Sequence, residues 1–378
     1  MKEKKFSFTA SDSLIIKGVA IILMLMHHLW MFPDTKPDTL NHLITIFNTP
    51  LPTYLASFGK ICVSLFLFLG GYGTYITAKK KKDWNIFVSI KKLYIKYWKV
   101  FFIFIPIAFI FFRHQIPFCK DPKYYNAFSN FSFKVFFKNL LGLSSEYNGT
   151  WWFLKSYIIA IISFPLLKRI TEKFDTTINI FLIIVYSIAL NNILPAIGNI
   201  EIIGTLKNNY LYSTFITQTP YVASFWLGIV FAKDNLLAKL YDTLEKSFNI
   251  NFVTDIIGLC ILVFIRNSVF NKDFDLLLCP FFCIFTLDLI KKNKFITRLF
   301  TTLGTHSTNI WLTHVFFCSY FYFFANIVFK VKWAIPSLIL LIILSYVSSL
   351  LIEQFWDLFN KIYNKIYNKI KQKRLSKI

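Results

Sequence analysis

Ten apolar runs divide this chain, each near the roughly 20 residues that a helix needs to cross the hydrocarbon core of a bilayer. They read as 13–32, 53–78, 93–112, 151–168, 178–195, 210–232, 250–266, 274–290, 305–329 and 334–356. Inside a bilayer every backbone polar group must find its partner within the protein, and a helix satisfies that condition alone. The runs therefore predict an all-α, polytopic membrane protein of about ten transmembrane helices.

Composition agrees. The 378 residues are 56% hydrophobic and only 16% charged, with a mean hydropathy of +0.53. A separate soluble domain needs about 100 contiguous residues of ordinary composition, and no such stretch exists. The expected division is a membrane domain over 1–356 and a basic cytoplasmic tail over 357–378. The first apolar run contains Lys17 and lacks a small-residue cleavage site, so it reads as a retained helix rather than a signal peptide.

The formal net charge of +23 would suggest nucleic acid in a soluble protein. Here the lysines flank apolar runs and form no continuous groove. With the N-terminus inside, Lys79 to Lys82, Lys91, Lys92, Lys291, Lys292, Lys294, Arg298 and the tail share one side. The opposite loops carry Lys36 and Lys207, with a further cluster (Arg113, Lys120, Lys123, Lys134, Lys138) in 113–150. The positive-inside rule then puts both termini in the cytoplasm of a multi-pass cell-membrane protein facing anionic lipid. The tail repeats Asn-Lys-Ile-Tyr through 360–370, an amphipathic stripe suited to the inner leaflet. The aromatic-rich 113–150 segment is too long for a plain connector and is expected to fold back on the outer face, as an acceptor-binding lid or an interfacial helix.

Cys62, Cys260, Cys279, Cys283 and Cys318 lie in apolar runs and Cys119 in a loop, which is no disulfide framework. No His-x-x-x-His or Cys/His cluster points to a metal, and no Gly-x-Ser-x-Gly marks a serine nucleophile.

Ionisable groups inside the apolar runs remain. Each costs about 2.5–3.5 kcal/mol at mid-membrane on insertion scales, so each is a candidate for function. Lys17 and His28 lie eleven residues apart, which on a helix returns them to one face about 16 Å apart. They can share a groove without touching. His27 points about 100° away. An imidazole there can take the proton of an attacking hydroxyl or carry an acyl group itself; a packed histidine bonded to a backbone carbonyl is the competing reading. Lys91, Lys92, Lys96 and Lys99, interleaved with Tyr94, Tyr97 and Trp98, form a basic approach to the third run and suit a phosphate-rich donor. Glu146 and Trp152 stand before and within the start of the fourth run, and His314 is a second intramembrane imidazole in the ninth. Helix packing alone accounts for Gly70-Gly71-Tyr72-Gly73.

Five of these stretches, in order, resemble one family. Lys17 and His28 are similar to its basic residue, ten-residue gap and histidine. Val63 to Tyr72, Lys91 to Trp98 and Trp151 to Leu154 resemble its second, third and fourth helix motifs. Leu303-Gly304-x-x-Ser307-x-x-Ile310-Trp311-Leu312-x-His314 is similar to its late Gly-x-x-Ser-x-x-Ile-Tyr-Leu-x-His run. The family is the bacterial membrane acyltransferase-3 family, which includes glycan O-acetyltransferases.

The resemblance implies an O-acyltransferase that moves an acyl group, usually acetyl, from cytosolic acyl-CoA to hydroxyls of a cell-envelope or exported polysaccharide or its lipid-linked precursor. It implies a catalytic His28, with Lys17, Lys91 and Lys92 on the donor side where arginines are usual, and Gly70 where serine is usual. His27, Tyr94, Glu146, Trp152 and His314 are supporting candidates. Acyl-CoA is a donor substrate rather than a resident cofactor. Membrane lipids, the glycan and polysaccharide-biosynthesis proteins are the expected partners. The rival reading is a transporter of polysaccharide or lipid-linked glycan without acyl transfer.

Overall fold

The computed structural model describes residues 6–32, 41–81, 83–113, 126–193, 196, 209–268 and 275–375. Lys36, Lys82, Cys119, Lys120, Lys123, Lys207 and the last three residues of the tail lie outside the described residues.

Helices account for nearly all of it. The first is α1 (Ala10–Trp30), followed by α2 (Leu51–Gly59), α3 (Cys62–Lys80) and α4 (Ile86–Phe111). Then come α5 (Phe133–Leu140), α6 (Trp152–Lys173), α7 (Thr176–Ile188), α8 (Tyr210–Gln218) and α9 (Val222–Lys233). The chain continues with α10 (Leu236–Phe248), α11 (Phe252–Ser268), α12 (Asp275–Lys291), α13 (Lys294–Thr305), α14 (Ser307–Val315), α15 (Tyr322–Lys330) and α16 (Ala334–Leu375). The described β structure is a hairpin of β1 (Thr45–Ile46) and β2 (Thr49–Pro50), turned through Phe47 and Asn48 at positive φ, and an isolated bridge from Asn41 to Trp333.

Seven described spans are long and apolar enough to cross a membrane, or nine when each of two bent pairs counts as one. Ten were expected. The run at 274–290 is α12, only 17 residues long, and the runs at 250–266 and 305–329 belong to the pairs bent by 111° and 83°. The run at 53–78 is interrupted at Lys60, where α2 ends and α3 begins.

The start of α1 is fixed by a capping box: Thr9 Oγ1 accepts from the Asp12 amide at 3.2 Å, and the Asp12 carboxylate accepts from the Thr9 amide at 2.9 Å. The buried Asp12 also meets Lys291 Nζ at 2.6 Å. The next residue, Lys292, bridges Asp255, at 2.7 Å, and Asp288. These pairs tie α1, α11 and α12 together at what we term the Lys17 end of the bundle. At the opposite, His28 end, the buried Arg266 pairs with Asp275 at 3.0 Å and donates to the Ser57 carbonyl on α2.

Helix pairs approach to backbone contact where glycine leaves room, two of them through a glycine on each side. A Cβ on Gly18 would lie 2.1 Å from the Phe300 carbonyl oxygen, and one on Gly304 would lie 1.9 Å from that of Leu14, so α1 and α13 are locked together. Gly71 and Gly228 do the same for α3 and α9, with 1.9 Å to the Phe225 oxygen and 2.0 Å to that of Phe68.

Two expectations about the periphery change. The segment before α6 does not lie flat on the bundle face. It runs back along α4: Phe131 packs on Phe109, Phe136 on Phe101, and Trp98 Nε1 donates to the Leu140 carbonyl at 2.9 Å. The tail is continuous with the last span in one 42-residue helix. That is about 63 Å at 1.5 Å per residue, and it lacks the break needed to turn along a leaflet. It leaves at the Lys17 end, since Trp356 Nε1 donates to the Lys99 carbonyl at 3.0 Å.

Candidate active site

A cavity of about 470 Å³ runs beside α1, bounded by α3, α4, the start of α6 and α14. Its first wall follows from helical periodicity alone. Lys17 and His28 both line it, one near each end, as the eleven-residue interval requires.

The Lys17 end is basic. Lys92 and Lys96, one turn apart on α4, face the cavity with Lys17, opposite Ser307 and Thr308 at the start of α14. Lys91 does not line it; it stands about 100° round the helix from Lys92. Of the expected donor-side lysines, Lys17 and Lys92 are therefore brought together, and Lys96 takes the third place.

The other end is built from imidazole and aromatic rings. His28 meets His27 at 5.3 Å, Phe32 at 5.6 Å and His314 at 5.0 Å between ring centroids. His27 and His314 satisfy the competing expectation of a packed histidine. His27 Nδ1 donates to the Ala56 carbonyl at 2.9 Å, and His314 Nδ1 sits 2.8 Å from the Trp311 carbonyl and 3.2 Å from that of Ile310. His28 has no such anchor among the described residues and lines the cavity. Trp152 lines it too, with Lys60 Nζ 5.5 Å from its ring centroid.

The re-entrant segment closes this end. Gly149 and Thr150 face the cavity, held by Gly149 N donating to the Tyr320 hydroxyl at 2.9 Å and Trp311 Nε1 donating to the Thr150 carbonyl at 3.2 Å. Asn148 and Trp151 both donate to the Leu312 carbonyl. Two supporting candidates serve this scaffold rather than the cavity. Tyr94 donates to the Leu141 carbonyl at 2.8 Å, pinning the segment to α4. Glu146 is exposed and accepts from Ser144 Oγ at 2.8 Å. Neither lines the cavity.

An acyltransferase domain family model matches residues 14–354. The chain belongs to the acyltransferase-3 family. No curated protein and no solved structure matches it significantly. Family membership makes the protein a membrane acyltransferase. The match begins just before Lys17 and ends within α16, so it takes in every cavity-lining residue.

Lys60 and the Gly149–Thr150 turn were not singled out from sequence, and Lys96 was read only as part of the basic approach to the third run. Lys60 carried a readable signal, a lysine inside an apolar run. The turn carried none, because its place depends on α4 and α14.

Proposed function

We propose that this acyltransferase moves an acyl group, acetyl by preference, from cytosolic acyl-CoA to hydroxyls of a cell-envelope or exported polysaccharide or its lipid-linked precursor. The observation that carries the proposal is one cavity that holds Lys17, Lys92 and Lys96 together with an unanchored histidine. Lys17, Lys92 and Lys96 offer charge to the donor's phosphates. The distance along α1 to His28, about 16 Å, suits an extended pantetheine arm that delivers its thioester to the imidazole. Trp152 and Phe32 present aromatic faces to a sugar ring beside it.

In this reading His28 is the general base. The acceptor hydroxyl gives its proton to a ring nitrogen as its oxygen bonds to the thioester carbonyl carbon. The carbon–sulfur bond then breaks, and the leaving thiolate takes the proton from the imidazolium. The products are the sugar ester and free coenzyme A. The excess of lysine and arginine on one set of loops supports placing the Lys17 end in the cytoplasm of the cell membrane.

Reconstituted protein given labelled acetyl-CoA and envelope glycan distinguishes transfer from transport. The label should appear in alkali-labile ester on the glycan. Glycan that crosses the bilayer while never acquiring the label would replace this reading with the transporter.

A further inference from the structure

Three imidazoles meet at the His28 end, and their hydrogen bonds assign their protons. A carbonyl oxygen only accepts, so Nδ1 of His27 and Nδ1 of His314 must each carry the hydrogen. In each neutral ring Nε2 is then a bare lone pair. For His314 that lone pair is sealed in the protein: the residue is 0% exposed and its Nε2 has no hydrogen-bond partner. Buried acceptors are nearly always satisfied, so an orphan in a core calls for a donor.

The ring that can supply one is His28. Its centroid lies 5.0 Å from that of His314, tilted by 55°; the two rings are not hydrogen-bonded as they stand, but at this separation a turn of the His28 ring about its own axis brings a nitrogen within hydrogen-bond distance. His314 Nδ1 is held by carbonyls of its own helix, three and four residues back, so the Nε2 edge faces away from α14. His28 is itself without a hydrogen bond among the described residues. A neutral imidazole has one N–H to give and one lone pair to keep.

We propose that His314 is the positioning residue for His28: its Nε2 accepts the His28 N–H, which fixes the His28 tautomer and leaves the other nitrogen bare toward the cavity. The charged or titratable neighbours of His28 are His314, His27 and Lys60. His27 is adjacent on the same helix, about 100° round, and its Nδ1 is already committed to the Ala56 carbonyl. His314 comes from a different helix and faces His28 across it.

The step this adds is limited. When the acceptor hydroxyl passes its proton to the bare nitrogen of His28, the ring becomes imidazolium. His314 goes on accepting the opposite N–H and shares that charge. When the thiolate leaves, the first proton goes to sulfur and the neutral His28 tautomer is restored, its N–H still on His314. No other reactant enters.

The inference rests on the acyl-transfer reading, and its test separates the two. Purified, reconstituted wild type is compared with His314→Leu, His314→Gln and His28→Ala, using acetyl-CoA and glycan. His314→Leu removes the acceptor; His314→Gln returns one as an amide oxygen. The expected result is a kcat about 100-fold lower for His314→Leu at an unchanged donor KM, with most of the loss recovered by His314→Gln. Wild-type kcat in a folded His314→Leu, or a Gln variant no faster than the Leu variant, overturns the inference while the inactivity of His28→Ala leaves the reading standing. Wild-type transfer by His28→Ala overturns both. Nitrogen-15 spectra of histidine-labelled protein give a readout without catalysis, which also covers a Leu variant that fails to fold. The His314 Nε2 resonance should carry a hydrogen-bond shift that vanishes in His28→Ala, and an unshifted Nε2 in wild type refutes the contact.

Discussion

Replacing Gly304 by alanine tests whether the packing of α1 sets the geometry of the cavity. The new Cβ would sit 1.9 Å from the carbonyl oxygen of Leu14, where ordinary contact begins at 3.4 Å. The clashing atom is backbone, so no rotamer relieves it; α1 and α13 must separate by about 1–1.5 Å. Overpacking of this kind costs about 1–3 kcal/mol. Because α1 carries both Lys17 and His28, the same displacement misplaces the donor site and the imidazole, and a shift of about 1 Å near the chemistry can cost about 10²-fold in rate. Gly73 is the internal control, since a Cβ there meets nothing within 4 Å. Alanine at 73 should be neutral or stabilise by about 0.5–1 kcal/mol. Thermal unfolding in detergent and acetyl transfer in nanodiscs read both effects. If Gly304→Ala melts and turns over like Gly73→Ala, the backbone contact does not govern the site.

Other outcomes follow from the same geometry. Lys92→Gln and Lys96→Gln should each raise the donor KM, whereas Lys91→Gln, which lies off the cavity, should leave it unchanged; steady-state kinetics over acetyl-CoA concentration decide. Asp275→Asn strands the buried Arg266 guanidinium at the His28 end, and losing one partner of a buried pair costs about 3–5 kcal/mol, measurable as a lower unfolding temperature. At the other end, burial alone would lower the Lys292 pKa, but hydrogen bonds to Asp255 and Asp288 outweigh it and raise the value above 10.5. A raised pKa stabilises fully below the unfolded value and is lost as pH climbs through the folded one. Wild type should therefore lose stability on the alkaline side that Lys292→Met does not lose, and parallel melts over rising pH would contradict this.

The helical membrane architecture and one wall of the cavity were legible in the sequence for the same reason. Apolar runs and the Lys17–His28 interval are local properties of one helix, and helical periodicity converts them directly into geometry. What was illegible depends on contacts between helices. Nothing in α4 alone tells Lys91 from Lys92 as a lining residue, because the choice depends on which face packs toward α1. His314 lies 286 positions from His28 and becomes its neighbour only when α14 packs beside α1. The aromatic segment before α6 read equally as a lid or an interfacial helix because its phenylalanines suit both; its placement against α4 depends on contacts such as Tyr97 Oη donating to the carbonyl of the buried Asn139. The break at Lys60 falls in an apolar run without proline at that point, where Gly59 lies against the Leu23 carbonyl of α1.

The most direct test of the account is transfer of labelled acetyl from acetyl-CoA to glycan by His28→Ala, purified and shown to melt like wild type. Removal of a general base should depress the rate at least about 10²-fold with donor binding intact. Undiminished transfer by a folded protein lacking that ring would contradict the account.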